Sequence, residues 1–446
     1  MELGRLYDPN TYVEGAPLDE LDALREETAV RWVDESPFGA WPGGEGFWLV
    51  LRHAEVQDVL SQPKRFSSWL GGTQLRSPPR REDLEYVRRM MLNMDPPEHR
   101  RLRRLLSSAF TRVALDRLEA SIDQHARRLI EAFVDTARDD GDGWRAADFV
   151  SDLARHLPVL VLADLLGMPE EDRWLTYDWS NRVIGFMDPD YRSSDAFANH
   201  GGSSIAREAV RLRPVPDPEG RMPDPRSREG IPDLYRYAHL LAEKKRESPG
   251  EDIMSLLLVP LDDEGLTTEE FENLFWLFSV AGNETLRNGL PGGIIALGSH
   301  PRAVAQLRDE PNLLRSAVDE MLRWWTPVMS FRRTATEDTV LGRARMRAGD
   351  KVVVSFTSAN RDPRVFDDPN DFLLERNPNP HLAFGHGPHF CLGAQLARRQ
   401  MQALFRNFFA RVGAFELGEP TLLRSNFQRG VKRLPIRFRP LIRSKT

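Results

Sequence analysis

The stretch from Thr267 to about Gly298 limits the possible folds more than any other part of the chain. Thr267, followed three residues later by Glu270, is a capping-box pattern that opens a helix. Phe271, Leu274, Phe275 and Phe278 then fall on one face. The pattern continues with small residues, so at about 1.5 Å per residue the helix reaches roughly 45 Å, enough to cross a whole domain. The rest of the chain must be assembled around this rod. Pro291-Gly292-Gly293 lies inside it and predicts a kink or an interruption of its second half.

Helical patterns also dominate from Asp95 onward, in DPPEHRRLRRLLSSAF, LEASIDQHARRLIEAFVDTA and DLARHLPVLVLADLLG. Pro301 and Pro311 sit where first-turn prolines start helices, and Pro327 ends the second of these. Strand patterns are confined to FWLVL near the start and TVLGRARMRAGDKVVVSFTSAN later. Between about Arg211 and Asp233, RLRPVPDPEGRMPDPRSREGIPD is too rich in Pro for a regular element and reads as a long exposed loop, either a surface insertion or a mobile lid. No repeat or linker divides these pieces. The expectation is one mainly α domain over residues 1–446 with a smaller β-rich part and a Pro-rich insertion at 211–233.

Composition narrows the function classes. Hydrophobic residues at 41% and charged residues at 29% supply a core and exclude wholesale disorder. A net charge of −6 speaks against a general nucleic-acid binder. The N-terminal segment shows no basic region followed by an apolar one, and the runs LPVLVLADLL and LFWLFSVAG are too short to span a bilayer. A single cysteine permits no intramolecular disulfide and suits a reducing cytoplasm.

That cysteine, Cys391, lies in HLAFGHGPHFCLGAQLARRQ. Gly385 and Gly387 favour a tight irregular loop that Cys391 ends, and a helix follows Leu392. Backbone N–H groups at a helix N-terminus lower a thiol pKa and make it a good ligand or nucleophile. Gly393 lets a flat ligand approach the backbone. The residues alone leave three readings: a zinc site with His386 and His389, a cysteine nucleophile, or a haem ligand.

FGHGPHFCLGA resembles the haem-thiolate loop of the cytochrome P450 family, residue for residue. The resemblance extends from about Phe47 to Phe438, with further motifs in family order. It implies a mainly helical P450 fold, one haem b and insertion of one oxygen atom from O₂ into a C–H bond. Cys391 becomes the axial iron ligand, Phe384 a shield for its sulfur, and His389 a neighbour of a haem propionate. His99 and Arg103, four apart in HRRLRR, match the family's propionate-binding pair, and Arg333 in FRRTATED matches a further partner. Glu320 and Arg323 in EMLR match a buried pair joined by Arg376, fifteen residues before Cys391. In AGNET, Ala281 and Gly282 lie over the haem, with Gly282 making room for dioxygen, while Glu284 and Thr285 form an acid–alcohol proton relay.

Redox partners are implied to be separate proteins, a ferredoxin and a ferredoxin reductase carrying NAD(P)H-derived electrons. Arg398, Arg399, Arg406 and Arg411 are candidates for docking the ferredoxin. AGNETLRN, MLNMDPPEH and SNFQRGVKRLP most resemble bacterial members acting on steroids, terpenoids and branched lipids. The same carry-over puts Val280, Ala281, Met329 and Phe427 along the substrate pocket, with the Trp69 to Met91 region as a variable wall. A natural-product tailoring oxidase is the alternative, and a non-catalytic haem sensor a remote one.

Overall fold

The computed structural model describes residues 3–37, 43–78, 80–107, 110–184, 188, 190, 201–219, 222–225, 227–258 and 266–441. Its first helices are α1 (Leu18–Glu27), α2 (His53–Ser61), α3 (Arg81–Arg88), α4 (Glu98–Ser107), α5 (Arg112–Thr136), α6 (His156–Leu166), α7 (Trp174–Ile184) and α8 (Ser204–Val210). There follow α9 (Pro232–Glu247), α10 (Ile253–Leu258), α11 (Thr268–Ser299), α12 (Pro301–Asp309), α13 (Leu314–Trp325), α14 (Phe356–Ala359) and α15 (Ala394–Arg411).

The rod predicted from Thr267 is α11, opened by a complete capping box in which Thr267 and Glu270 each bond the other's backbone N–H. It is sheathed by α6, α7, α13 and α15. Phe275, Leu290, Ile294 and Leu297 on α11 are fully buried, as are Trp179 on α7 and Phe405 on α15. Each such side chain contributes about 1.5–3 kcal/mol on burial.

The expected interruption at Pro291 does not occur, because α11 runs unbroken to Ser299. Neighbouring helices use the two glycines for close approach. A Cβ on Gly292 would lie 2.1 Å from the Trp325 ring of α13, and one on Gly293 would lie 2.9 Å from Met321 Sδ. Packing on both sides holds the helix through its missing proline hydrogen bond.

The strands are β1 (Val30–Val33), β2 (Phe47–Val50), β3 (Phe66–Ser67), β4 (Arg138–Asp139), β5 (Arg145–Asp148), β6 (Ser330–Ala335), β7 (Thr339–Leu341), β8 (Ala344–Met346), β9 (Lys351–Ser355), β10 (Val412–Leu417), β11 (Thr421–Leu422), β12 (Val431–Arg433) and β13 (Pro435–Pro440). A five-stranded sheet in the order β1-β2-β9-β6-β3 carries its own apolar cluster around Val50, Phe66, Val352 and Val354. All its pairings are antiparallel except β2 with β9. Side chains alternate along a strand, so neighbouring Arg332 and Arg333 of β6 point to opposite faces.

The Pro-rich segment is only partly the exposed loop expected of it. Residues 220, 221 and 226 lie outside the described residues. Val215 is 77% exposed, but Ser227, Gly230 and Ile231 are buried. Arg228 reaches α11 and binds both oxygens of the buried Glu272 carboxylate, at 2.9 and 3.2 Å. A desolvated carboxylate that needs a cation draws the end of the segment down. Asp233 and Pro232 already belong to α9.

Candidate active site

Two glycines shape the loop that leads to Cys391. Gly385 and Gly387 have φ of +71° and +68°, which other residues adopt only with strain. At Gly387 a Cβ would also lie 2.5 Å from the Leu60 carbonyl oxygen, so the loop can pass α2 only without a side chain there. Cys391 N–H donates to the Phe384 carbonyl at 2.9 Å, fixing the cysteine three residues ahead of α15. The Phe384 ring lies beneath the Arg398 guanidinium at 4.6 Å and beside the Phe390 ring at 6.3 Å.

The thiol keeps open surface although protein atoms crowd around it. Burial pushes its pKa up, against the Gly393 N–H bonded to the sulfur and the nearby Arg103 and Arg398, which pull it down. The helix-terminus argument alone predicted a lowered value, and burial outweighs it here. A metal ion at the sulfur reverses that balance, because coordination deprotonates a thiol. A Cβ on Gly393 would meet nothing within 4 Å, so the backbone is open to a flat ligand. Among the described residues, no three His, Cys, Asp or Glu side chains converge to hold a metal, so the zinc set of His386, His389 and Cys391 is not assembled.

A second open surface lies halfway along α11. Ala281 and Gly282 are exposed although Val280, Asn283 and Glu284 beside them are buried. Thr285 is half-buried one turn on, its hydroxyl donating to the Ala281 carbonyl at 2.9 Å. The missing side chain of Gly282 serves close packing on α6, since a Cβ there would lie 3.2 Å from Leu162 Cδ1.

Four basic side chains from three parts of the chain converge near the cysteine. The rings of His99 and His389 lie 4.0 Å apart between centroids. Burial, then Arg103, lowers the His99 pKa to about 4. Burial lowers Arg333 to about 10 and also lowers Arg103. His389 is held well below its ordinary value by burial and by Arg333, His99 and Arg103 together. Asp95 is the neighbouring carboxylate, but its oxygens accept from Ser67 Oγ at 2.5 Å and Ser68 N–H at 2.8 Å. Two arginines beside two imidazoles held neutral by their surroundings, with the neighbouring Asp95 engaged by serines, fit a ligand that brings anionic groups. With the thiol and the open Gly393 backbone, the residues fit haem, whose iron takes a sulfur and whose propionates take cations.

Glu320, Arg323 and Arg376 come together. Arg323 donates from Nε and a terminal nitrogen to the Glu320 carboxylate, both at 2.7 Å, and Arg376 Nε reaches it at 3.1 Å. Glu320 and Arg323 have no exposed surface. The same carboxylate accepts from Leu373 N–H and the Asn379 side chain. Arg323 also donates to the Asn360 carbonyl, and Asn360 Oδ1 accepts from Leu382 N–H at 2.6 Å. The cysteine loop therefore hangs from this network. Asn360 and Asn379 carry no local signal that would have marked them.

Glu284 is not turned toward Thr285. Its carboxylate pairs with Arg287 at 2.5 Å and accepts from Asn288 Nδ2 at 3.1 Å and Ser180 Oγ at 3.3 Å. The spacings of three and four to Arg287 and Asn288 were readable in ETLRN as same-face neighbours, while Ser180 gave no signal.

The profile of the cytochrome P450 family matches residues 236–412. A steroid C26-monooxygenase of Mycolicibacterium smegmatis is 34% identical over 430 residues, covering 95% of this chain and 91% of that one. The chain belongs to the cytochrome P450 family. A methyl-branched lipid omega-hydroxylase of Mycobacterium bovis is 36% identical, covering 93% and 91%. The structure of Mycobacterium marinum cytochrome P450 CYP268A2 in complex with pseudoionone superposes with a TM-score of 0.79 at 32% identity, covering 94% of each chain. This chain is thus a P450 monooxygenase with a haem-thiolate cofactor, using O₂ and electrons from redox partners on a hydrophobic substrate.

In this P450, Val280 and Met329 are buried, and Met329 N–H donates to the Phe427 carbonyl at 2.9 Å. The Phe427 ring lies 5.6 Å from that of Phe331. In the Trp69 to Met91 region, a pocket opens between Gly71, Thr73, Val87 and Met90, with Trp276 of α11 and Asp224 of the insertion on its far side. The arginines expected to dock a ferredoxin are largely engaged. Arg398 pairs with Asp319, Arg399 with Asp116 and Glu119, and Arg406 with Asp123. Among the described residues, no helix is long and apolar enough to cross a membrane.

Proposed function

We propose that this P450 inserts one oxygen atom into a C–H bond of a steroid, terpenoid or related lipid, using haem b. The observation that carries the reading is the Cys391 thiol beside His99, Arg103, Arg333 and His389, whose neighbouring carboxylate, Asp95, is engaged by two serines. Haem b, when bound, supplies the redox-active iron at which dioxygen is activated. Cys391 is the residue to hold that iron, with Phe384 packed along the loop behind it. His99, Arg103, Arg333 and His389 are the donors for two propionates. Ala281 and Gly282 give the open patch of backbone on α11. Thr285 Oγ1 and the Glu284 carboxylate form the proton relay, the hydroxyl holding a proton at the open surface and the acid replenishing it. Glu320, Arg323 and Arg376 keep the loop in place.

Val280, Met329 and Phe427 supply apolar contacts to the substrate. The steroid and branched-lipid names of two relatives and the pseudoionone bound to a third support that chemical class. The insertion argues for such a ligand over a bulkier biosynthetic intermediate, because Arg228 fastens it to α11 at the rim of the pocket. Strand pairings that join distant parts of the chain, β2 with β9 and β5 with β13, support its working as one domain. We assign electron delivery to a ferredoxin and its reductase, and the location to the cytoplasm.

The test is a spectral titration of the ferric protein with steroids, terpenoids, fatty acids and aromatic alkaloids. A saturable low-to-high-spin shift with a steroid or terpenoid is the expected result. Silence across those classes, in a protein whose reduced CO complex is normal, refutes the lipid reading.

A further inference from the structure

Asn288 of α11 is 1% exposed and bonded on two sides. Toward its own helix, Nδ2 donates to Glu284 Oε1 at 3.1 Å. Away from it, Oδ1 accepts from Val431 N–H at 3.3 Å, and Nδ2 lies 3.5 Å from Gln428 Oε1. The partners force this orientation of the carboxamide, since a backbone N–H needs an acceptor and a carboxylate needs a donor. A Cβ on Gly430 would lie 3.2 Å from Asn288 Oδ1, so the 425–431 turn rests directly on the amide.

That turn carries Phe427. Ser425 Oγ accepts from the N–H groups of Phe427 and Gln428, at 3.2 and 3.0 Å. The turn is also fastened to the chain around Met329, through the Met329 N–H bond to Phe427 and a bridge between Val328 and Gln428. The Phe427 ring is half-buried, and displacing it moves the backbone on which Gln428 and Val431 are mounted.

We propose that Asn288 is a positioning residue that couples the substrate-pocket turn at Phe427 to the Glu284 carboxylate. The proposal rests on the relay and pocket assignments made above. Glu284 is held on Arg287, Asn288 and Ser180 while Thr285 bonds its own helix at Ala281. A hydrogen bond to a charged group is stronger than one between neutral groups, so the Asn288 bond is a substantial part of that hold. The two bonds to the turn are long, and small shifts break them first. An apolar ligand pressing on Phe427 releases the carboxamide from Val431 and Gln428. The freed amide can then rotate, and Glu284 loses a fixed donor and gains reach toward Thr285. Proton supply is thereby tied to occupancy of the pocket, which limits the waste of electrons in an empty site.

The test uses the haem-loaded enzyme and its Gln428→Leu and Asn288→Leu variants. The carboxylate stretching band of Glu284 is identified by its loss in Glu284→Gln and followed by infrared difference spectroscopy. Expected without any ligand is a shift of that band in Gln428→Leu, although Gln428 does not touch Glu284; an unmoved band overturns the coupling. With testosterone, pseudoionone or hexadecenoic acid as probe, whichever shifts the spin state, the band should move in the wild type. It should not move further in Gln428→Leu, even where the spectral dissociation constant stays within about twofold. A wild-type band that ignores a bound probe also overturns the proposal. With a ferredoxin and reductase but no substrate, both leucine variants should raise peroxide formation by about threefold or more over the wild type, because Glu284 is released in an empty site. If Glu284→Gln leaves the fraction of electrons lost to peroxide unchanged in substrate turnover, the relay itself fails; if Glu284→Gln raises that fraction and Gln428→Leu leaves substrate-free peroxide formation unchanged, only the coupling fails.

Discussion

Replacing Glu320 by Ala removes one carboxylate that serves five donors: Arg323 twice, Arg376, Leu373 N–H and Asn379. The two guanidiniums stay behind in a site where the carboxylate had no exposed surface. Breaking a buried pair from one side costs about 3–5 kcal/mol, because the surviving charge is left without its counterion. Unfolding entropy near 2.1 cal/mol/K per residue gives about 0.9 kcal/mol/K for 446 residues, so the melting midpoint should fall by roughly 3–5 °C. Scanning calorimetry at a fixed heating rate reads that shift in the haem-free protein. The second readout is haem content after reconstitution, which should drop because Leu373, Arg376 and Asn379 lie on the approach to the cysteine loop. A midpoint within about 1 °C of the wild type, together with full haem loading, would refute the claim that this carboxylate holds the loop.

Cys391→Ser should bind haem with loss of the thiolate signature of the reduced CO complex, and an unchanged spectrum removes the ligand assignment. Gly387→Ala combines φ of +68° with a 2.5 Å contact to the Leu60 carbonyl, so it should cost at least about 1–2 kcal/mol and lower haem content. His99 has a folded pKa near 4, below the ordinary histidine value of 6.5. The unfolded chain therefore takes up the proton first, and stability present above pH 6.5 is lost as the pH falls toward 4, by up to about 3 kcal/mol. Thermal melts of the haem-free protein against pH should show that slope, and His99→Gln should flatten it. Arg228→Ala leaves Glu272 with His239 and loosens the Pro-rich segment from α11, which should speed substrate association in stopped-flow spin-state measurements. The same rate unchanged in Arg228→Ala would show that the segment does not limit entry.

The long helix, the cysteine loop and the Glu320–Arg323 pair were legible because each is encoded locally, whereas Arg376, far along the chain, joined that pair only through the family resemblance. A capping box, two loop glycines before a lone cysteine, and an i,i+3 acid–base pair all lie within a few residues. Pro291 misled because a helix interior is judged by its own hydrogen bonds, whereas here Trp325 and Phe405 hold the chain from outside. The thiol pKa misled for a related reason, since the helix terminus is visible in sequence and the burial that outweighs it is not. The Pro-rich segment showed its lack of regular structure but not its anchor, because Arg228 and Glu272 are 44 residues apart. Asn360, Asn379 and Gln428 were silent as well. Their partners come from other elements, and a single amide in a sequence has no periodicity to announce it.

Buried charge separates the parts of the site by what compensates it. Arg323 and Arg376 meet Glu320, and Arg287 meets Glu284, so these cations are complete within the chain. Among the described residues, Arg361 and Arg429 have no carboxylate in hydrogen-bond reach, but both donate to the carbonyl oxygens that end α13, where the helix dipole is negative. Lack of a counterion is therefore not a sufficient mark of a ligand site. The group of His99, Arg103, Arg333 and His389 differs in setting two imidazoles beside two arginines: burial and the Arg103 and Arg333 charges lower the proton affinity of both rings, while the neighbouring Asp95 is engaged by two serines. The two imidazoles relieve that repulsion by staying neutral, which leaves them as hydrogen-bond donors and leaves Arg103 and Arg333 as the charges that two carboxylates on one rigid ligand would meet. Anion-bearing haem should consequently stabilise the folded state more than a haem whose propionates are esterified. Equal stabilisation by the two would sever the cluster from cofactor binding.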